Sequence, residues 1–326
     1  MLNHVCKLMA VAALAATASA AGAQTISTVI PFDAPTLGIS VDPVRNSVYV
    51  VTQDPTETIF NLAVINGSSN TVTTTIPLTS GAAFVTADYL ANRIYVAGCN
   101  YQVSPVACIV TVIDGKSYTA VATIPITTTP GGGLTGITVN PLSGLVYVAN
   151  ANDNVIDIVN GRQAKLIGSI SLNGNSPSAI ALNPILNLLY VPYGTNQTAV
   201  VNAWTQKIVT TTTFGTSTVG AAVNVLTGNV YVTDQGGSSS AGVLSANGKL
   251  VTSVSVEDFP VGVDVDPFTN LTFVASPLSE QLAVINGSNN TVQATVSGIQ
   301  AEYVAVNPAT QTVYASGQDG VTVVKE

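Results

Sequence analysis

Short apolar runs bounded by Asn, Asp, Gly or Pro recur along the whole chain after residue 24, and none keeps the spacing of an amphipathic helix. The runs come in quartets. The first member is rich in small residues, as in GISV and GITV, and ends at a corner such as DPVRN or NPLSG. Asp or Asn before Pro favours a turn, because the side chain accepts local backbone hydrogen bonds while Pro presets φ. The second member, SVYVV or LVYVA, is apolar throughout. The third, LAVING or VTVIDG, ends in Asn-Gly or Asp-Gly, which reads as a two-residue hairpin. The fourth, NTVTTTIP, alternates Thr with apolar residues. Val and Thr dominate all of these, so the quartets predict strands.

The corner and the aromatic residue of the second strand keep one distance. The pairs are Asp42 and Tyr49, Asp88 and Tyr95, Asn140 and Tyr147, Asn183 and Tyr190, Asn224 and Tyr231, Asp266 and Phe273, Asn307 and Tyr314, always seven residues apart. Successive aromatics are 46, 52, 43, 41, 42 and 41 residues apart, so length varies elsewhere, in loops. Four strands per repeat, repeated radially, predict an all-β seven-bladed propeller with four-stranded blades. The last repeat ends with GVTVVKE and lacks a fourth strand, while TISTVIP at 25–31 resembles a fourth strand without a repeat. The N-terminal strand is therefore expected to complete the last blade and leave no open seam.

The segments YVANANDNVIDIVNG (147–161), YVVT (49–52) and YVTD (231–234) resemble the YVTN-type repeat of secreted and cell-surface β-propellers. The resemblance covers essentially all of the chain after residue 23. It implies fold and export rather than activity, since such families include surface-layer and periplasmic proteins and the related seven-bladed lactonases. Export is also read directly from the N-terminus. MLNHVCK carries Lys7, LMAVAALAATASA is apolar, and AGA at 21–23 suits signal peptidase, with ASA at 18–20 as the alternative cut. That apolar run is too short to span a membrane. The expected organisation is a signal peptide at 1–23 and one propeller at 24–326. Its parts are a closing strand at 24–35 and blades at 36–80, 81–129, 130–173, 174–214, 215–257, 258–298 and 299–326. The expected location is secreted, periplasmic or cell-surface.

Composition then removes chemistry. The single histidine, His4, departs with the signal peptide, and with it Ser-His-Asp and Cys-His catalysis and the usual zinc sites. Charged residues are only 8% of the chain, with a formal net charge of −8. Their placement is uneven. Asp33, Glu257, Asp258 and Glu302 fall between fourth and first strands. Asp54, Glu57, Asp153, Asp234, Glu280 and Asp319 fall between second and third strands, so ten of seventeen acids sit on one face, here the upper face. Arg45, Arg93, Lys116, Arg162, Lys165, Lys207, Lys249 and Lys325 fall at the opposite, lower edge. Such a field attracts cations or basic partners and repels nucleic acid. The plainer reading is that longer loops collect soluble residues and that tight turns favour Lys.

Within this face Asp33, Glu257, Asp258 and Glu302 are expected around one part of the channel mouth. Asp264 is the only charged residue of the inner strands, where the counterparts are Ser40, Thr86, Thr138, Ala181, Ala222 and Ala305. These five are the candidate partner- or cation-binding residues. Carboxylates suit calcium or another divalent cation, but no calcium-loop motif accompanies them. A hydrogen-bonded Asp264 among solvated neighbours is the competing account, and no other cofactor is called for. Cys99 and Cys108, in GCNYQVSPVAC, read as a disulfide in an exported chain, worth about 2.5–3 kcal/mol; a reactive thiol pair is the alternative. Tyr101 would stand at the tip of that loop. Trp204, in VNAWTQ, is read as occupying a Gly position, capping a hairpin and packing on the lower face.

Function is expected to be non-catalytic binding or scaffolding through the acidic face, toward a protein or a small cationic ligand. The alternative is a lactonase-like or metal-assisted hydrolase at the top of the channel, which needs an arginine or metal that the mouth does not display. A quinone oxidoreductase fits poorly with a single Trp. No catalytic residue is assigned, and oligomeric state has no signal in the sequence.

Overall fold

A computed structural model describes residues 24–54, 56, 58–78, 81–126, 133–237 and 239–326. The expected signal segment and Glu57 lie outside the described residues. Every regular element among the described residues is a strand, and the strands form seven four-stranded antiparallel sheets. Blade 1 runs from β2 (Thr36–Asp42) to β5 (Thr71–Leu78), blade 2 from β6 (Ala82–Asp88) to β9 (Thr119–Ile126), and blade 3 from β10 (Leu134–Asn140) to β13 (Lys165–Ser171). Blade 4 runs from β14 (Ala181–Asn183) to β17 (Lys207–Thr213), blade 5 from β18 (Thr218–Val223) to β21 (Leu250–Ser255), and blade 6 from β22 (Val263–Asp266) to β25 (Thr291–Ser297). Blade 7 has β26 (Ala301–Asn307), β27 (Thr312–Gly317) and β28 (Gly320–Lys325), and takes β1 (Thr25–Ile30) as its outer strand. The pairing of β1 with β28 runs from Thr25 opposite Lys325 to Ile30 opposite Val321. The expected propeller and its closing strand are both present.

The core lies between blades rather than within them. Seven clusters of buried apolar side chains each combine residues of two neighbouring blades, the last joining Ile30, Val321 and Val323 of blade 7 to Val48, Val50 and Ile65 of blade 1. A single blade therefore cannot bury its own apolar faces, and ring closure completes the set. Strand register sets the seven aromatics opposite Ser40, Thr86, Thr138, Ala181, Ala222, Asp264 and Ala305 of the inner strands. The aromatics are at most 1% exposed. Small residues line the crowded axis, and a large ring fills the wider space one strand out.

The constant spacing of seven has a direct cause. Each corner Asp or Asn turns its Oδ1 back to accept backbone amides two and, in six of the seven, also three residues on, as with Asp42 to Val44 and Arg45 at 2.9 and 3.1 Å. The corner thus has a set length, and the following strand always delivers its aromatic at the same height. The Asn-Gly hairpins differ from expectation. Gly67, Gly115, Gly161 and Gly287 are not the left-handed residues; Asn70, Tyr118, Ala164 and Asn290 are, at φ between 50° and 56°. The turn is a longer one, closed for instance by Asn70 N donating to Asn66 O at 2.8 Å. Glycine is needed for space instead: a Cβ at Gly67 or Gly115 would meet the side chain of Asn46 or Asn92, and one at Gly161 the hydroxyl of Tyr95.

Thr36 secures the seam between first and last blades. Its hydroxyl, in a residue 3% exposed, accepts from Gly317 N and donates to the Gly317 carbonyl, both at 2.8 Å. Thr36→Val keeps the shape and leaves the buried Gly317 amide without a partner. A loss of about 1–3 kcal/mol in denaturant unfolding is expected; unchanged stability would show that the seam does not depend on this contact.

Candidate functional site

Antiparallel pairing puts the fourth-to-first and second-to-third loops at one end of the ring and the tight turns at the other. Of the ten acids expected on the upper face, Asp33, Glu257, Asp258, Glu280, Glu302 and Asp319 are exposed. Glu257 and Asp258 lie in the loop from blade 5 to blade 6, Glu280, Glu302 and Asp319 belong to blades 6 and 7, and Asp33 follows the closing strand. Glu302 is not in a loop as expected but is the second residue of β26, beside Gly262 of blade 6. Asp258 takes a weak hydrogen bond from Ser239 Oγ at 3.4 Å. The other described acids of this face are less exposed and are engaged by groups of their own or neighbouring loops. Asp54 accepts from the hydroxyl and amide of Thr56 and from the amides of Thr58 and Ile59, and these bonds, the Thr56 hydroxyl foremost, hold its pKa down to about 2. Asp153 accepts from Asn150 Nδ2 at 3.0 Å. Asp234 is the last residue of β19 (Val230–Asp234), fully buried, and its Oδ1 accepts from Thr216, Ser217 and Gly236 amides. Loop scaffolding accounts for these three, and what remains is an acidic arc over one sector.

Asp264 occupies the channel wall below that arc. Its Oδ1 accepts from Val265 N and its Oδ2 from Val306 N, each at 2.8 Å, so the carboxylate ties blade 6 to blade 7. It keeps partial access to the channel, yet the protein packed around it pushes its pKa up to about 6; desolvation dominates, the two amides oppose it, and Asp266 adds repulsion. The structure therefore brings Asp264 and Glu302 to adjoining inner strands and spreads Asp33, Glu257 and Asp258 along the rim. Among the described residues no three His, Cys, Asp or Glu side chains converge closely enough to hold a metal ion.

One acidic contact escaped sequence reasoning. Asp266, the corner residue of blade 6, faces Glu326 near the lower end of blade 7. Thr269 Oγ1 donates to Glu326 Oε2 at 2.8 Å, while Asp266 Oδ2 and Glu326 Oε1 are buried with no other partner. Burial, then repulsion by Asp266, raises the Glu326 carboxyl to about 8, and burial likewise raises that of Asp266. Nothing in the local sequence signals it, because the residues lie sixty positions apart.

The cysteines behave as expected. Cys99 and Cys108 form a disulfide directly across β7 (Arg93–Asn100) and β8 (Ala107–Asp114), both 2% exposed. Tyr101 stands beyond it, 60% exposed, beside a cleft of about 590 Å³ bordered by Leu37, Gln53, Phe60 and Asn100. That cleft belongs to blades 1 and 2.

No family model matches the chain, and no curated protein matches it in sequence. Among solved structures, a chain of Kuenenia stuttgartiensis hydrazine synthase aligns with a TM-score of 0.75 at 15% identity, over 92% of this chain and 98% of that one. At such identity the likeness concerns the propeller fold alone.

The Asp264 environment predicts a pH signature. A carboxyl whose pKa is higher folded than unfolded binds its proton more tightly when folded. Its contribution is thus full below pH about 4 and is lost as pH rises through about 6. Asp264→Asn removes this titration. Relative to the variant, the parent should lose about 2–3 kcal/mol between pH 4 and pH 7 in denaturant unfolding; parallel pH profiles for the two proteins would refute the assignment.

Proposed function

We propose that this chain is an exported, non-catalytic binding propeller that captures a basic peptide or protein segment on the acidic arc of blades 6, 7 and 1. The observation that carries this reading is the sorting of exposed charge. Six carboxylates, Asp33, Glu257, Asp258, Glu280, Glu302 and Asp319, occupy one sector of the upper face, and all eight described Lys and Arg residues lie toward the lower edge. Carboxylates strung along a rim, rather than gathered at a point, suit an extended cationic surface better than a single calcium ion. The field of such a sector steers cations and weakens with salt. Asp264 is then a brace beneath the arc rather than a contact residue.

Export is supported by the disulfide, which persists in oxidising compartments, and by the signal-like composition of residues 1–23. Among the described residues no helix is long and apolar enough to cross a membrane. The likeness of the repeats to the YVTN type of secreted and cell-surface propellers supports export, and loops over a rigid scaffold are common places for recognition.

The test uses an oligolysine peptide as probe, titrated calorimetrically at low and at high salt. Saturable binding at low salt is expected, reduced at least tenfold in Glu257→Lys/Asp258→Lys/Glu302→Lys, at roughly 0.2–1 kcal/mol per exposed pair lost and more on reversal. Equal affinity of parent and triple variant would overturn the proposal. Binding of calcium alone, with none of the peptide, would transfer the arc to a metal role.

A further inference from the structure

The lower face carries a feature that the acidic arc does not explain. Trp204 is 84% exposed, in the turn between β16 (Gln197–Asn202) and β17. It does not pack on the lower face as its sequence context implied, and it does not occupy the glycine position. Ala203 does so, while Trp204 N donates to Asn202 Oδ1 at 3.0 Å, the place taken by Ser68 and Ser288 in other blades. Three more large apolar side chains stand on neighbouring turn tips: Ile185 at 54%, Leu186 at 48% and Leu226 at 58% exposure. The turns of Leu186 and Trp204 are joined directly, Ala203 N donating to Asn187 O at 3.0 Å.

The charge around them has one sign. Arg162, Lys165, Lys207 and Lys249 are exposed at the lower ends of blades 3, 4 and 5. From β10 to β21 these three blades contain only Asp153, Asp157 and Asp234 as acids, and none is exposed; Glu257, which follows β21, stands on the opposite, upper rim. Asp157 is buried against Asn150 Nδ2 at 2.9 Å. Arg162 has the buried Asp88 of blade 2 as an electrostatic neighbour, while Lys165, Lys207 and Lys249 stand exposed with the projecting apolar side chains and no exposed carboxylate on the strands of their own blades.

We propose that the lower face of blades 3 to 5 docks onto an anionic phospholipid surface, with Trp204 seated at the level of the headgroups. The chemistry matches on two counts. An indole with an apolar body and a polar N–H favours the membrane–water boundary, and Ile185, Leu186 and Leu226 reach the same plane. Lys and Arg around them meet lipid phosphates, at about 1 kcal/mol per residue near an anionic surface. The apolar groups project from convex turn tips instead of lining a groove. A soft, deformable surface accommodates such projections, whereas a folded partner needs a matching set of pockets. Docked in this way, the ring presents its upper face away from the lipid. This inference does not depend on the acidic arc binding anything.

The chain has a single tryptophan, so its own fluorescence reports the contact. Emission of Trp204 is followed as vesicles are added, one set of phosphatidylglycerol mixed with phosphatidylcholine and one of phosphatidylcholine alone, with co-sedimentation as a second readout. The expected result is a blue shift and pelleting with the anionic vesicles only, weakened by salt. Pelleting should fall at least tenfold in Trp204→Ser/Leu186→Ser and again in Lys207→Glu/Lys249→Glu. All four side chains are exposed, so an unchanged melting temperature checks that the variants fold. The proposal is overturned by an unshifted emission with the protein left in the supernatant, or by equal binding to both vesicle types. It is overturned as well by a blue shift that grows with protein concentration in the absence of lipid, which would assign the patch to a second copy of the chain.

Discussion

One buried side chain per blade, the Asp or Asn at the first corner, holds the propeller in register. Its Oδ1 caps the corner in every blade, and its second polar atom decides how that blade meets the next. Where the residue is Asn, the spare amide donates across the interface: Asn140 to Asn187 at 3.1 Å, Asn224 to Asn270 at 2.8 Å, and Asn307 to Asn46 at 2.7 Å. Where it is Asp, there is no donor to give. Asp42 instead takes Arg45 at 2.7 Å, Asp88 keeps an unpartnered Oδ2, and Asp266 faces Glu326. The pattern has an exception that supports the rule. Asn183 is left with an unpartnered Nδ2, and the turn of the following blade has Gly228 where a partner Asn would stand.

This arrangement also explains why the inner wall tolerates Asp264. The small inner residues leave little protein with which to solvate a charge, so a carboxylate there needs bonds from two blades at once, and it receives them from Val265 and Val306. The same economy governs the loops. Asp54 and Asp234 supply acceptors to backbone amides that the strands leave over, and Asp153 accepts from the side-chain amide of Asn150. Only when these are subtracted does the exposed charge resolve into an acidic arc on one sector and a basic, apolar patch on another. The ring therefore has two differently made faces on a nearly uniform scaffold, which is the usual division of labour in repeat proteins.

Much of the fold was legible in the sequence because its signals are local and recur seven times. The corner residue, the aromatic seven positions later and the strand left over at each end together require a closed ring. The hairpin glycines were also visible, although for the wrong reason: their backbone is ordinary, and it is the neighbouring turn or a tyrosine hydroxyl from the preceding blade that excludes a Cβ. The candidate site was legible in part. Assigning loops to faces follows from strand order, so Asp33, Glu257, Asp258 and Glu302 were placed on the upper rim from composition and order alone. Whether a given carboxylate looks outward was not legible: Asp234 is buried against the amides of Thr216, Ser217 and Gly236, and Asp258 is exposed with one weak bond from Ser239.

Strand number, blade count, ring closure and the disulfide were thus determined by the sequence, because each depends on residues close together in the chain or on strict periodicity. Tertiary structure alone decided the exposure of Trp204, the bracing of Asp264 and the meeting of Asp266 with Glu326. Each of those depends on which side chains of a neighbouring blade come within a few ångströms, and that distance has no counterpart in the linear spacing of residues.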